Sequence, residues 1–386
     1  MLGASSMQLE SIKYSEYDDE PRAWDLDMFA VDQINLIVGK NASGKTRTLR
    51  LINNLALLLC GERKPSSLSS SNFNAKFKDD NDTYQYVVNI KNGAVIKEEF
   101  QSEKNKWLTR SQDGTGTIFY SAEKKHMAFQ TDVSELAFTS KRDSIQHPFI
   151  EPLYQWAKSV HLYEFGTSLG GNLLELKLEG AAEANTKNTQ MVVGIYRRGE
   201  KEFADKFKTS IKNDMKKLGY HILDIGVATP SDVQIIDPMP SPGELVEIWI
   251  QEDGLQAKIE HRKISQGMFR ALSLIIQLNY STMTKMPSCT LVDDIGEGLD
   301  HERSCALIEL VLTKIQASKT QLIMTTNDRF VMNKVPLEMW TVLHRQGSHC
   351  KVFNIKNAKD KFEEFRFTGL NNFDFFASDY LTENKK

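Results

Sequence analysis

Gly39-Lys40-Asn41-Ala42-Ser43-Gly44-Lys45-Thr46 reads G-x-x-x-x-G-K-[ST], the spacing of a phosphate-binding P-loop. Gly39 and Gly44 admit backbone angles that a β-carbon forbids. Successive N–H groups can then converge on phosphate oxygens at the positive end of the following helix. Lys45 has the length to reach β- and γ-phosphates, and the Thr46 hydroxyl suits Mg²⁺. The flanks agree. Ile34, Leu36, Ile37 and Val38 predict a buried strand leading into the loop. Thr46 to Cys60 predicts a helix, apolar around most of its girth through Leu49, Ile52, Leu55, Leu58 and Leu59, with Gly61 placed to cap it. Strand, loop and helix in this order predict an α/β fold around a nucleoside triphosphate with Mg²⁺.

A second orderly region lies far downstream. Met268 to Leu278 predicts a very apolar helix, and Thr290-Leu291-Val292 a short buried strand. Ala306, Leu307, Leu310, Val311 and Ile315 fall on one helical face, and Gln321-Leu322-Ile323-Met324 predicts the next strand. A strand–helix–strand unit implies a parallel sheet with right-handed crossovers, and the P-loop strand belongs in the same sheet. Apolar strand residues ending in an acid are what a Mg²⁺ site across from a P-loop needs. Leu291-Val292-Asp293-Asp294 fits, with Asp293 as the metal-side acid and Asp294 as the base or water-orienting carboxylate.

At this point the chain resembles the ABC-type ATPases of the SMC, RecF and OLD kind. Ile264-Ser265-Gln266-Gly267-Met268 is similar to the ABC signature and opens a helix just before the acidic strand. Glu297-Gly298-Leu299-Asp300 stands where the family has its D-loop, and Thr325-Thr326-Asn327-Asp328 at its switch position. The resemblance is strongest over residues 30–61 and 262–330. It implies ATP with Mg²⁺ as cofactors, and a two-site sandwich between two copies. Gly39 to Thr46 would hold one nucleotide, completed by Ser265, Gly267 and Asp300 of the opposite copy. Two positions depart from the family. Asp294 replaces the usual Glu and is one methylene shorter. Asn327 replaces the usual His, and it can hydrogen-bond a γ-phosphate but cannot carry a proton charge. Both departures predict slow hydrolysis, with Glu297 as the fallback catalytic acid. Gln130 is the candidate Q-loop glutamine for the metal, against the alternative of a surface residue. Arg270 is read two ways, facing phosphate or pairing with an acid.

Length and composition set bounds. The chain has 386 residues, 40% apolar and 26% charged, with a net charge of −3. That is ordinary for a globular protein, and any nucleic-acid contact would need a local patch. Cys60, Cys289, Cys305 and Cys350 form no C-x-x-C pair, which fits reduced cytoplasmic thiols better than metal ligation. No secretory signal is visible in Met1 to Ser6, and no apolar run is long enough for a membrane span.

Four regions are expected within a single ABC-type domain having a mainly parallel core sheet. Residues 7–130 form an N-terminal lobe with the P-loop and an antiparallel β subdomain, where Asn92-Gly93 between strand-like runs signals a hairpin. Residues 131–220 read as a helical insert, including a helical 132–165, a polar loop over 181–190 and a charged helix over 198–218. Residues 221–345 form the C-terminal lobe, with a hairpin at Asp253-Gly254. Residues 346–386 are an aromatic-rich tail, which packs on the core or presents an interface. The charged helix meets DNA or forms a solvated face. No heptad run, zinc hook or TOPRIM-type acid cluster is present; Asp374 and Asp379 do not make one.

Three functions stay open. One is an ATP-gated switch, at least a dimer, that controls a separately encoded effector; the resemblance extends this to anti-phage defence. The second is a RecF-like DNA-repair ATPase. The third is a scaffold that binds ATP without hydrolysing it.

Overall fold

The computed structural model describes residues 7–80, 82–167, 171, 173–178, 187–231, 243–285, 288–378 and 380–381. Met1 to Ser6, most of the 181–190 stretch and Asp379 lie outside them. The N-terminal part folds as β1 (Gln8–Glu16), β2 (Trp24–Ala30), β3 (Ile34–Gly39) and α1 (Lys45–Leu59). Six strands follow: β4 (Ser70–Lys78), β5 (Thr83–Lys91), β6 (Ala94–Ser102), β7 (Lys106–Arg110), β8 (Thr115–Tyr120) and β9 (Lys125–Gln130). Next come α2 (Ala137–Ser140), α3 (Glu151–Lys158), β10 (Val160–Glu164), β11 (Glu175–Leu178) and α4 (Val192–Lys217). Then come β12 (Ile222–Ala228), β13 (Gly243–Glu252), β14 (Ile259–Glu260), α5 (Gln266–Thr284), β15 (Cys289–Asp293) and α6 (His301–Gln316). The chain closes with β16 (Gln321–Thr325), α7 (Arg329–Lys334), β17 (Trp340–Gln346), β18 (His349–Asn354), α8 (Lys359–Arg366) and α9 (Asn372–Ala377).

Among the described residues, one long sheet runs in the order β10-β15-β16-β3-β17-β18-β2-β1-β4-β5-β6-β7-β8-β9. Its first five strands are parallel. From β2 through β9 every pairing is antiparallel. This is the predicted parallel core with an antiparallel extension. All six residues of β3 are buried, because side chains alternate into two cores. Ile34, Leu36 and Val38 join the core covered by α4, α5 and α6. Ile37 joins the other, where Leu49, Ile52, Leu55 and Leu59 of α1 pack. Asn92 and Gly93 both take positive φ, 52° and 76°, as a two-residue hairpin turn requires.

The 132–165 stretch departs from its helical reading. Helix α3 ends at Lys158, and Val160-His161-Leu162-Tyr163-Glu164 pairs in parallel with β15. The spacing of Phe149, Leu153 and Trp156 is helical, but Val160 begins a strand. Five residues rich in β-branched and aromatic side chains fit either pattern, and burial beside β15 decides for the strand. The charged helix α4 starts earlier than expected and kinks at Ala204 (φ 47°, ψ −133°). Several of its cations meet acids: Lys208 with Glu200 at 2.6 Å, Arg198 with Glu202 at 2.8 Å, Arg197 with Glu175 at 3.0 Å. In the tail, Phe362, Phe365 and Phe375 are buried against one another and the core, whereas Phe367 stays 91% exposed.

Burial of β10 has a measurable consequence. His161 is buried, and desolvation, helped by the Lys187 ammonium, pushes its pKa down to about 4 from 6.5. The folded state holds this imidazole neutral, so the stability it supports is full above pH 6.5 and is lost as pH falls toward 4. The shift corresponds to about 3 kcal/mol across that window. His161→Phe should flatten this part of the stability profile, read by urea unfolding at a series of pH values; an unchanged slope would place the titration elsewhere.

Candidate nucleotide-binding site

The P-loop turns between β3 and α1, and its glycines are required by space. A β-carbon on Gly39 would stand 2.4 Å from Ser43 Oγ and 2.9 Å from the Leu343 carbonyl oxygen. Gly44, the N-cap of α1, has φ +106°, and a β-carbon there would meet the Trp24 ring at 3.1 Å. Ala42 also takes a left-handed conformation, with φ 62°. Two groups of the β17–β18 hairpin hold this shape. Arg345 Nη1 donates to the Ala42 carbonyl (3.2 Å) and the Cys350 thiol to the Ser43 carbonyl (3.2 Å). Lys45 Nζ donates to the Gly39 carbonyl at 2.8 Å, spanning the loop mouth. Burial lowers the Lys45 pKa, and the nearby Asp294 and Asp293 oppose that shift.

The acids arrive from the neighbouring parallel strands. Asp293 ends β15, and its Oδ1 accepts from Thr46 Oγ1 (3.0 Å) and Thr325 Oγ1 (2.7 Å). The Thr325 hydroxyl, fully buried at the end of β16, accepts in turn from the Asp294 amide at 2.8 Å. Asn327 Nδ2 donates to Asp294 Oδ1 at 3.0 Å. Asp294 sits at φ 54°. Burial raises its pKa, the Asp293 and Glu297 carboxylates raise it further, and Lys45 opposes them.

Lys45, Thr46, Asp294 and Asn327 border an open cavity of about 540 Å³. Asn41 to Arg47 line it together with Trp24, Arg50, Asp294, Asn327 and Arg345. Lys45, Arg47, Arg50 and Arg345 outweigh the single lining acid, a balance that suits a polyphosphate. The Thr46 hydroxyl and the Asp293 carboxylate, already in contact, supply hard oxygen donors of the kind Mg²⁺ takes. Among the described residues no cluster of three His, Cys, Asp or Glu side chains could hold a metal. Mg²⁺ is usually bound through one or two protein oxygens together with substrate phosphates and water, so these two donors fit it.

Other predicted residues stand apart. Ser265 caps α5, accepting from the Met268 amide at 3.2 Å, and is exposed. Asp300 caps α6, accepting from the Arg303 amide at 3.0 Å. Neither they nor Gly267 is among the described residues lining the P-loop cavity. Glu297 follows Asp294 in a turn closed by its amide donating to the Asp294 carbonyl (3.1 Å). Gln130 is not brought to the site. It closes the edge strand β9 opposite Thr115, ten places along the sheet from β3. The β8–β9 hairpin extends the antiparallel sheet instead of returning the chain to the core. The residue that the sheet sets beside Asp293 is Glu164, its register partner on β10, held by Arg50 at 2.7 Å. Reading β10 as a strand would have found it. Among the described residues Arg270 pairs with no acid; its guanidinium donates to three backbone carbonyls.

Residues 34–333 match the family described as "AAA domain, putative AbiEii toxin, Type IV TA system". The chain belongs to this family. Membership implies nucleotide binding, typically with Mg²⁺, and the P-loop lies inside the matched residues. The fold is that of an SMC head: 91% of the chain aligns with 99% of a solved SMC head bound to the C-winged helix domain of ScpA, at TM-score 0.51 and 13% identity. A second solved SMC head carries an extended coiled coil and is bound to the C-terminal domain of ScpA derived from Pyrococcus furiosus. It is 12% identical, covering 93% of this chain and 100% of that one at TM-score 0.46. Comparison with curated proteins finds no match.

Thr325 is the hinge of the acid network in this AAA-domain chain. Thr325→Val keeps the shape and removes both hydrogen bonds, leaving Asp293 and the Asp294 amide short of a partner. It should cost about 1–3 kcal/mol of stability, read by denaturant unfolding, and should raise the Mg²⁺ concentration needed for nucleotide binding.

Proposed function

We propose that this chain is an ATP-binding, slowly ATP-hydrolysing switch. Two copies close a two-site sandwich and control a partner effector. The observation that carries this reading is the split between two half-sites. Lys45, Thr46 and Asp294 line one cavity, with Asp293 bonded to Thr46 beside it, whereas the exposed Ser265 and nearby Gly267 lie outside it. A second copy can bring its Ser265 and α5 N-terminus to the γ-phosphate, where the helix's positive end suits an anion.

Within one copy, Lys45 and the P-loop amides bind and neutralise the phosphates. Thr46 and Asp293 would hold Mg²⁺, and the ion would supply charge neutralisation to the bound phosphates. Asp294 orients the attacking water and takes its proton. Asn327, bonded to Asp294 Oδ1, fixes that carboxylate and offers its amide to the γ-phosphate. A shortened acid and an uncharged switch residue make the chemical step slow, which suits a timed state change better than a motor. Glu297 is the alternative acid. Control of an effector in anti-phage defence rests on the likeness to ABC-type relatives and on the family's association with toxin–antitoxin systems. The ion-paired cations of α4 weigh against a DNA-binding role for that helix.

Native mass should double on Mg²⁺-ATP when Asp294→Ala prolongs the bound state, and Ser265→Arg should abolish the doubling. A monomer under every condition would remove the sandwich. Turnover of Asp294→Ala should fall by about two orders of magnitude or more; unchanged turnover would pass the role to Glu297.

A further inference from the structure

Helix α5 carries two consecutive attachments to the loop that follows Asp294. A β-carbon on Gly267 would stand 2.6 Å from the Gly298 carbonyl oxygen, so the first turn of α5 rests directly on that peptide. One turn further, on the same helical face, Arg270 spreads its guanidinium over three carbonyls. Nη1 donates to Glu297 (3.0 Å), Nη2 to Gly166 (3.1 Å) and Nε to Thr167 (3.0 Å). Gly298, at φ +77°, admits this approach, because a β-carbon there would lie 2.3 Å from Arg270 Nη1.

The two segments joined by Arg270 are the walls around the hydrolytic acids. Residues 294–297 form the turn that presents Asp294, closed by the bond from the Glu297 amide to the Asp294 carbonyl. The segment after β10 abuts the same acids. A β-carbon on Gly166 would stand 3.7 Å from both Asp294 Cβ and Glu297 Cγ. The three bonds therefore fix the helix that begins at Ser265, the acid turn and the post-β10 segment as one body. A planar fork with several donors can hold three carbonyls at once, whereas a lysine ammonium on a flexible stem cannot match that geometry.

We infer that Arg270 is a positioning residue for hydrolysis, one that sets Asp294 and Glu297 by clamping the carbonyls of Glu297, Gly166 and Thr167. This deepens the proposed reading of Asp294 as the water-orienting carboxylate and rests on it. In a sandwich, Ser265 would face the second copy's nucleotide while Asp294 faces its own. The clamp then makes the arrival of one nucleotide felt at the acids that act on the other.

The test uses the full chain and two variants, Arg270→Lys and Arg270→Gln. Hydrogen exchange without nucleotide should quicken in residues 294–299 and 165–167 and stay unchanged in α1. Unchanged exchange in the first two segments overturns the clamp. Quickening spread evenly over the fold, α1 included, overturns it too, by making Arg270 a general packing residue. With Mg²⁺-ATP, kcat should fall about ten- to a hundred-fold while nucleotide affinity stays within about two-fold. A kcat within about two-fold of wild type, with the fold intact, overturns the positioning role. A wild-type chain with no turnover above that of Lys45→Ala overturns the hydrolysis reading alone, and exchange then still decides the clamp.

Discussion

One carboxylate oxygen gathers the P-loop end of this molecule. Asp293 Oδ1 accepts from Thr46 at the head of α1 and from Thr325 at the end of β16. These groups come from sequence positions almost 280 residues apart at the extremes, and they meet because β15, β16 and β3 run parallel and end at one edge. A register slip of one residue in any of these strands would turn its terminal side chain to the opposite face. The apolar runs buried on both sides of the sheet prevent that slip. The two cores thus do more than stabilise; they fix the register that places three oxygen-bearing side chains within hydrogen-bond reach.

The P-loop depends on the same edge in another way. Its unusual backbone, with Ala42 and Gly44 both at positive φ, is held where β17 and β18 turn over. Arg345 and Cys350 take the Ala42 and Ser43 carbonyls, and the Leu343 carbonyl lies where a Gly39 side chain would have to go. A left-handed alanine costs about 1–2 kcal/mol, and two hydrogen bonds from the hairpin are of the size needed to offset it. Elsewhere the fold uses buried polar groups similarly. Glu98 accepts from the amides of Ala137 and Phe138 and from Tyr86, with Arg110 3.7 Å away, which ties α2 to the antiparallel extension. A buried carboxylate is tolerable only with such a full set of partners.

What could be read in the chain and what could not follow a physical divide. The P-loop, β3, α1, the Asn92-Gly93 turn and the β15–α6–β16 unit were legible, because each is encoded by residues close together whose types the local geometry demands. Strand β10 was not, since five residues do not separate a strand from a helical turn, and only the slot beside β15 makes the choice. Gln130 was misplaced for a related reason: nothing local says whether a strand continues a meander or returns to the core. Arg270 and Arg345 were opaque in a different sense. Their partners are backbone carbonyls, which every residue carries, so no pattern of residue types can announce them.

The hairpin that braces the P-loop is flanked by the tail. Val342 and Phe353, on β17 and β18, face a cavity of about 390 Å³ whose other walls include Phe375, Phe376 and Leu381 and the loop residues Lys40 to Ser43. Phe362, Phe365 and Phe375 pack ring against ring, with Phe375 centred 4.7 Å and 4.8 Å from the other two. Arg345 lines both this cavity and the nucleotide cavity, so the loop's rear support and its phosphate-facing side share one side chain. Aromatic packing of this kind is cooperative and directional. The aromatic tail therefore stands behind the hairpin whose Arg345 and Cys350 take the Ala42 and Ser43 carbonyls, across a cavity that the P-loop itself helps to line.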